Sequence, residues 1–135
     1  MEIGFTVPGK PRGKGRPRFS GSGRAYTDRD TVAYEDKVVA CYRERYRTCL
    51  FEEGAVHIAI TAYYPIPKSA TKKMRLAMES NQVLPCKKPD VDNVAKIVLD
   101  ALNGIAFHDD AQVCRLTVEK FYGEPRVEIR IKEGG

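Results

Sequence analysis

The sequence contains no long hydrophobic run and no export signal. None of its 135 residues belongs to an apolar stretch near the roughly 18 residues that a membrane-spanning helix requires. Its first residues lack the basic flank, the apolar core and the small-residue cleavage site of a secretory signal. These absences argue against a membrane protein and a secreted protein, so we expect a soluble protein of the cytoplasm.

The sequence is also poor in the side chains that build zinc sites and disulfide frameworks. It has two histidines, and none of its four cysteines forms a C-x-x-C pair. Zinc requires clustered sulfur and nitrogen ligands, and neither His57 nor His108 belongs to such a cluster. We therefore expect four reduced thiols, as is usual in a cytoplasmic protein: Cys41, Cys49, Cys86 and Cys114.

The remaining composition is that of a globular protein with an excess of positive charge. Hydrophobic residues make up 42% of the chain and charged residues 30%, and the length fits one compact domain, residues 1–135, with a frayed tail at 134–135. Lysine and arginine total 23 against 18 aspartates and glutamates, for a net charge of +5. This balance favours a polyanionic partner but identifies no fold.

The cations are concentrated in two stretches. Residues 10–24 carry six cations and no acid, and their glycines and prolines oppose regular structure, so we expect a flexible loop that binds phosphates. Residues 68–88 carry six cations and the single acid Glu79. The predicted DNA contacts are Lys10, Arg12, Lys14, Arg16, Arg18, Arg24, Lys72, Lys73, Lys87 and Lys88. Either stretch could instead be a loop that is merely solvated.

Hydrophobic periodicity predicts an α/β domain. Alternating apolar residues indicate strands in four segments: about 3–7, 56–64, 112–122 and 126–132. Apolar residues at helical spacing and cap residues indicate helices in three segments: about 31–47, 71–80 and 94–105. The expected order is β-α-β-α-α-β-β, ending in a hairpin that turns at Gly123 and Pro125. We expect a single domain with one mixed four-stranded sheet and helices packed on it.

Carboxylates are concentrated between the second basic stretch and the predicted third helix. In the segment Lys88-Pro-Asp-Val-Asp-Asn-Val-Ala-Lys96, an extended backbone would place Asp90 and Asp92 on one face. Asp92, Lys96 and Asp100 then follow at helical spacing on one polar stripe.

Asp109 and Asp110 add two carboxylates just before a predicted strand. We expect them to lie near the same helix start, where carboxylates and a substrate phosphate would suit Mg²⁺ in a phosphodiesterase centre. Each residue also has a plain structural interpretation. Asp92 could be only an N-cap, Asp92 and Lys96 could form only a surface ion pair, and Asp109 and Asp110 could form only a turn.

Together these motifs resemble the RusA family of Holliday-junction resolvases, which are bacterial and prophage endodeoxyribonucleases. The resemblance covers nearly the whole chain, with its blocks in the family's order. The blocks are Lys14-Gly-Arg-Pro-Arg18 followed by Tyr26-Thr27, the segment Lys88 to Lys96, Leu99-Asp-Ala-Leu-Asn-Gly-Ile-Ala, Asp109-Asp110-Ala-Gln-Val113, and Lys120-Phe-Tyr-Gly.

The resemblance implies a catalytic site and its cofactor. Asp90, Asp92 and Asp110 match the residues that hold the catalytic Mg²⁺, with Mn²⁺ as a substitute, and Lys96 matches the family's essential lysine. Two further carboxylates match commonly acidic positions with supporting roles: Asp100 and Asp109. The implied chemistry is metal-assisted hydrolysis of a phosphodiester, in which Lys96 stabilises the developing charge or orients the water.

The resemblance also implies a homodimer, a four-way DNA junction as substrate and paired symmetric nicks in recombination and repair. The setting would be the cytoplasm of a bacterium or of a phage-infected host. Phe107 stands where the family often has tyrosine, which keeps an aromatic platform.

Three other classes compete with this interpretation. Pro89-Asp90 suggests the PD-(D/E)xK nuclease fold, but no acidic-x-Lys triplet follows before Glu119. A non-catalytic nucleic-acid-binding module of a phage or prophage, whose aspartates only cap and pair, keeps the basic loops and predicts no Mg²⁺ dependence. A phage structural or assembly protein gives no reason for the carboxylates.

Overall fold

The computed structural model describes residues 1–15, 18–26 and 28–134 of the chain. The strands are β1 (Glu2–Pro8), β2 (Arg18–Phe19), β3 (Ala25–Tyr26), β4 (Val56–Tyr64), β5 (Val113–Tyr122) and β6 (Arg126–Glu133). The helices are α1 (Arg29–Arg45), α2 (Lys72–Glu79) and α3 (Val91–Leu102), with a 3₁₀ turn at Asp110–Gln112. Within these residues, no helix has the length and apolar character needed to cross a membrane.

Four strands form one mixed open sheet in the order β1-β6-β4-β5. Strand β4 is parallel to β5 and antiparallel to β6, and β1 is antiparallel to β6. The single-domain α/β fold and the element order β-α-β-α-α-β-β are therefore confirmed. All four cysteines are unpaired.

The predicted hairpin between the last two strands is wrong, because β4 lies between them. Ile60 of β4 pairs with Val118 of β5 on one side and with Ile129 of β6 on the other. The connecting turn crosses the end of β4, where the Gly123 N–H donates to the Tyr64 carbonyl at 2.9 Å. The physical reason lies in burial: β4 buries every second residue along its whole length and occupies the centre, while the mostly exposed β5 lies at the edge.

The basic loop also contains structure that its glycines and prolines did not suggest. Strands β2 and β3 form a short antiparallel ribbon in which Phe19 pairs with Ala25. The turn between them is closed by the Ser20 N–H, which donates to the Arg24 carbonyl at 2.8 Å. Two of the predicted DNA contacts, Arg16 and the side chain of Arg18, lie outside the described residues.

The core lies between α1 and α3 and one face of the sheet. The buried stripe of α3 is confirmed at Val94, Ile97, Val98, Ala101 and Leu102. One apolar residue of α1 lies outside this core, since Val32 is 42% exposed. The buried residues of α1 are Thr31, Tyr34, Val38 and Tyr42.

Candidate active site

The start of α3 presents two carboxylates and a lysine to solvent. Asp90 is the N-cap residue with an extended backbone, φ −70° and ψ 159°, and Asp92 lies in the first turn. Because the apolar stripe of α3 faces the core, Asp92 and Lys96 point away from it, and all three side chains are exposed. Carboxylates at a helix start are stabilised by the partial positive charge of the free N–H groups.

These side chains are not used for local structure. The Asp90 carboxylate makes no capping hydrogen bond. Within the described chain, no ion pair joins Asp92 to Lys96. Asp92 as an N-cap and Asp92–Lys96 as an ion pair are therefore both wrong interpretations, and the three groups are open to a ligand.

The loop before α3 is fixed by contacts from β4 and β5. The Tyr64 hydroxyl donates to the Pro89 carbonyl at 2.5 Å, and Lys120 Nζ donates to the Lys87 carbonyl at 2.6 Å. Lys120 Nζ also lies 4.9 Å from the centre of the Tyr64 ring, and Lys87 Nζ lies 5.7 Å from that of Tyr122. The backbone on both sides of Lys88 is thus tied to the sheet, which holds the position of Asp90.

Tyr64 is a functional candidate that sequence analysis treated only as a strand residue. Its burial, followed by the charge of Asp90, raises its pKa to about 12, so its hydroxyl stays protonated and can donate even at pH values where an ordinary tyrosine ionises. In the sequence, the signal that could have identified Tyr64 is its position directly before Pro65, where β4 ends. Lys120 appeared only within a resemblance block, without a role.

The basic loop docks against the start of α3. The Lys14 N–H donates to the Asn93 carbonyl at 3.1 Å. A Cβ added at Gly13 would lie 2.8 Å from Pro89 Cβ and 3.0 Å from Asn93 Cβ. The approach therefore requires glycine at this position, and it brings the backbone of the loop beside Asp90.

Two cations of this loop are neutralised by acids from distant segments. Lys14 Nζ lies 3.0 Å from Glu35 and 3.1 Å from Asp100, and Arg12 lies 3.4 Å from Asp30. Burial alone would lower the pKa of Lys14, but its hydrogen bonds to the two carboxylates outweigh this and raise it. The lack of acids within the loop therefore does not leave these two cations unpaired, because the acids come from α1 and α3.

Asp109 and Asp110 occupy the opposite end of α3. Asp109 caps the 3₁₀ turn, accepting from the Ala111 N–H at 3.1 Å, while its own N–H donates to the Gln112 side chain at 2.9 Å. The Asp110 N–H donates to the side chain of Asn103, the C-cap of α3, at 3.0 Å. The turn interpretation is confirmed for the backbone, and both carboxylates remain exposed.

The two neighbouring carboxyl groups interact. A hydrogen bond from the Ala111 N–H and one with Asp110 lower the pKa of Asp109. The same contact with Asp109, then desolvation and the charges of Asp109 and Asp100, raise the pKa of Asp110. Asp110 is therefore the carboxyl that holds a proton more readily, and Asp100 lies within electrostatic range of it.

One chain does not bring the predicted metal ligands together. Asp90 and Asp92 lie at the start of α3 and Asp110 lies at its end, and a helix of 12 residues is about 18 Å long. No group of three or more His, Cys, Asp or Glu residues in the described part of the chain could hold a metal ion. The expected meeting at one helix start is wrong, and these residues do not fit Mg²⁺ within a single chain.

The other predicted residues lie in several parts of the fold. Lys72 and Lys73 begin α2, and Lys87 and Lys88 immediately precede the site; all four are exposed, as are Lys10 and Arg24. Their DNA contacts remain predictions. Phe107 is fully buried, so it is a core residue and not an aromatic platform.

The chain is similar to a known family and to a known protein. The model of the family described as endodeoxyribonuclease RusA matches residues 8–132. The chain is also 41% identical over 136 residues to the uncharacterized protein YqaN of Bacillus subtilis (strain 168), covering 97% of this chain and 96% of that protein. The chain belongs to the RusA family of endodeoxyribonucleases.

Proposed function

We propose that this protein is a Mg²⁺-dependent endonuclease that resolves four-way DNA junctions by paired symmetric nicks. The observation that carries the proposal is the start of α3, where Asp90, Asp92 and Lys96 are exposed and have no partner in the described chain. Carboxylate oxygens are the ligands that Mg²⁺ prefers beside a phosphate. In a DNA endonuclease family, unused carboxylates beside a lysine suit phosphodiester hydrolysis.

The surroundings of this helix start support a nucleic-acid substrate. Lys87 and Lys88 precede Asp90, and the backbone of the basic loop passes beside it. Exposed cations bind phosphates and release counterions, so affinity should fall steeply with salt. The four unpaired cysteines agree with our placing of the reaction in a bacterial or phage-infected cytoplasm.

The separation of Asp110 from Asp90 and Asp92 supports a homodimer as the active form. If a two-fold axis sets two α3 helices antiparallel, the start of one helix lies beside the end of the other. Each helix start then gains Asp110 of the other copy, and two equivalent centres result. Two centres related by symmetry are also what paired nicks on a four-way junction require.

Cleavage by mixed variants tests the proposal. Wild-type protein should nick a synthetic four-way junction with Mg²⁺ or Mn²⁺, and should cut neither the junction without metal nor a linear duplex of the same sequence. Asp92→Asn and Asp110→Asn should each reduce cleavage by roughly 100-fold or more. After subunit exchange, an equimolar mixture should recover about one quarter of the wild-type centres, because half of the dimers contain one intact centre.

A matched mixture provides the control. Asp90→Asn mixed with Asp92→Asn should recover nothing, since both changes affect the same side of each shared centre. No recovery in the first mixture would rule out shared centres while leaving the nuclease intact. Equal cutting of junction and duplex would contradict the junction preference, and no cutting with any metal would favour the non-catalytic binding module.

A further inference from the structure

The face of the sheet that points away from α1 and α3 carries small and charged side chains. Side chains alternate between the two faces of a strand, so the strand registers define rows across the sheet. One row across β1, β6, β4 and β5 contains Glu2, Lys132, His57 and Arg115. The next row contains Gly4, Arg130, Ala59 and Thr117.

These two rows form a depression that we call the basin. Ala59 has only a methyl group, while the neighbouring side chains of Arg115, Arg130 and Lys132 are long. The resulting cavity has a volume of about 300 Å³ and is lined by Glu2, His57, Ile58, Ala59, Arg115, Thr117, Arg130 and Lys132. The small side chain of Ala59 thus leaves space between three cations.

The basin cations are available to an anion. Arg115, Arg130 and Lys132 form no ion pair with any residue in the described chain, whereas Arg126, on the same strand as two of them, pairs with Glu128 at 3.0 Å. Glu2 is the single acid in the lining. Two guanidinium groups and an ammonium group converging on one cavity favour a ligand with several anionic oxygens.

His57 adds a polar atom without a partner at one side of the basin. Its Nδ1 is buried and makes no hydrogen bond to the described residues. The chain after β6 passes over this ring: the Gly134 N–H donates to the Ala55 carbonyl at 2.8 Å, and a Cβ at Gly134 would lie 2.6 Å from the imidazole. Buried polar atoms are nearly always paired, so Nδ1 is an unsatisfied polar atom in a side chain that lines the basin.

The position of the basin suggests which phosphate it meets. Strand β5 begins at Val113, directly after the turn that carries Asp110, and Arg115 lies two residues further along the strand. The basin and Asp110 therefore lie at the same end of the sheet, separated by the edge strand β5. A DNA arm that leaves the end of α3 and bends around this edge would meet the basin.

We propose that the basin is a second phosphate-binding site, which holds the phosphodiester backbone of one arm of branched DNA away from the cleavage centre. The identity of the polymer rests on the proposed function, whereas the phosphate chemistry rests on the basin itself. Closely spaced phosphates match several cations on one rigid sheet, because each contact releases a counterion.

Binding of a labelled four-way junction in the absence of metal tests this site. The double variant Arg115→Gln with Arg130→Gln should bind about tenfold more weakly at roughly 0.1 M salt, with the slope of log affinity against log salt smaller by about 2. The matched control is Arg43→Gln with Arg47→Gln, which removes the same charge at exposed positions in and after α1. The control should stay within about twofold of wild type. A second variant, Ala59→Glu, places a carboxylate in the basin and should weaken binding in the same direction.

Other anions identify the source of the phosphate. The proposal would be overturned if the basin variants and the control variant had the same junction affinity and the same salt slope. Thermal unfolding must show that all the variants are folded. The proposal would also be overturned if the protein bound poly-glutamate as tightly as DNA and the basin variants weakened both affinities equally. The ligand would then be an acidic polypeptide. If the protein binds inorganic phosphate through the basin but does not bind junctions, the assignment to a DNA arm is contradicted. The basin is then a site for free phosphate. Junction binding through the basin without cleavage would support the site and contradict only the proposed function.

Discussion

At the residue scale, Tyr64 connects the sheet to the candidate active site. Its hydroxyl holds the Pro89 carbonyl while its ring contacts Lys120 Nζ, which in turn holds the Lys87 carbonyl. Sequence motifs identified Asp90 and Asp92 because short polar segments of this kind suit metal chemistry. They could not identify Tyr64, whose role depends on a contact across 25 residues.

Tyr64→Phe should impair cleavage more than folding. The ring stays in place, but the Pro89 carbonyl loses its donor, so Asp90 is less well positioned and the stability cost is about 1 kcal/mol. We expect the single-turnover cleavage rate to fall about tenfold, with junction affinity within twofold of wild type. Tyr63→Phe is the matched control, because the preceding side chain points to the other face of the sheet. An equal loss in both variants would contradict the role.

The pKa of Tyr64 makes the same contact testable at high pH. Its folded pKa of about 12 lies above the ordinary value of 10, so the unfolded chain loses this proton first as pH rises. Its contribution is therefore intact below pH 10 and is lost between pH 10 and 12. Between pH 10 and pH 12, the free energy of unfolding of Tyr64→Phe should therefore fall less than that of the wild type, as measured by denaturant unfolding.

At the scale of elements, the basic loop is attached to two helices through one side chain. Lys14 joins α1 through Glu35 and α3 through Asp100. The local sequence of the loop does not reveal these ion pairs, since the partners of Lys14 are 21 and 86 residues away. The docked loop is a consequence of tertiary structure, and a local charge pattern contains no information on it.

Lys14→Met should destabilise the fold, because it leaves two carboxylates facing each other without a cation. We expect a loss of roughly 1–2 kcal/mol in denaturant unfolding, partly restored by adding Asp100→Asn. Since the folded pKa of Lys14 is raised above 10.5, its contribution is present below that pH and is lost as pH rises through the folded value. Lys10→Met, at an exposed position, is the control; an equal loss there would contradict the bridging role.

At the scale of the whole molecule, the sequence predicted the elements better than their arrangement. Alternation and helical spacing are local, and they located the strands of the main sheet and all three helices. The place of β4 between β5 and β6 depends on which strand is most buried, and neighbouring strands in sequence wrongly suggested a hairpin. In the same way, residue type identified Asp90 and Asp110 as candidates, but only the fold shows that α3 separates them.

The sheet order predicts unequal protection from hydrogen exchange. Strands β4 and β6 each have two hydrogen-bonded neighbours, whereas β5 is an edge strand with one. Amides of segment 56–64 and of segment 126–133 should therefore exchange most slowly, close to the rate of global unfolding, and those of 113–122 should exchange earlier. Native-state exchange followed by mass spectrometry or NMR measures this. Protection of β5 equal to that of β4 would contradict the sheet order.

The central position of β6 also determines when the sheet can form as the chain is made. Strands β1 and β4 both pair with β6, and Lys132 of β6 lies between Glu2 of β1 and His57 of β4. Synthesis thus produces β1 before β6 and leaves it without a strand partner until residues 126–133 leave the ribosome. Such distant pairings slow folding. Until then α1 can cover the apolar face of β1 through contacts such as Phe5 with Tyr42, but β1 cannot join the sheet.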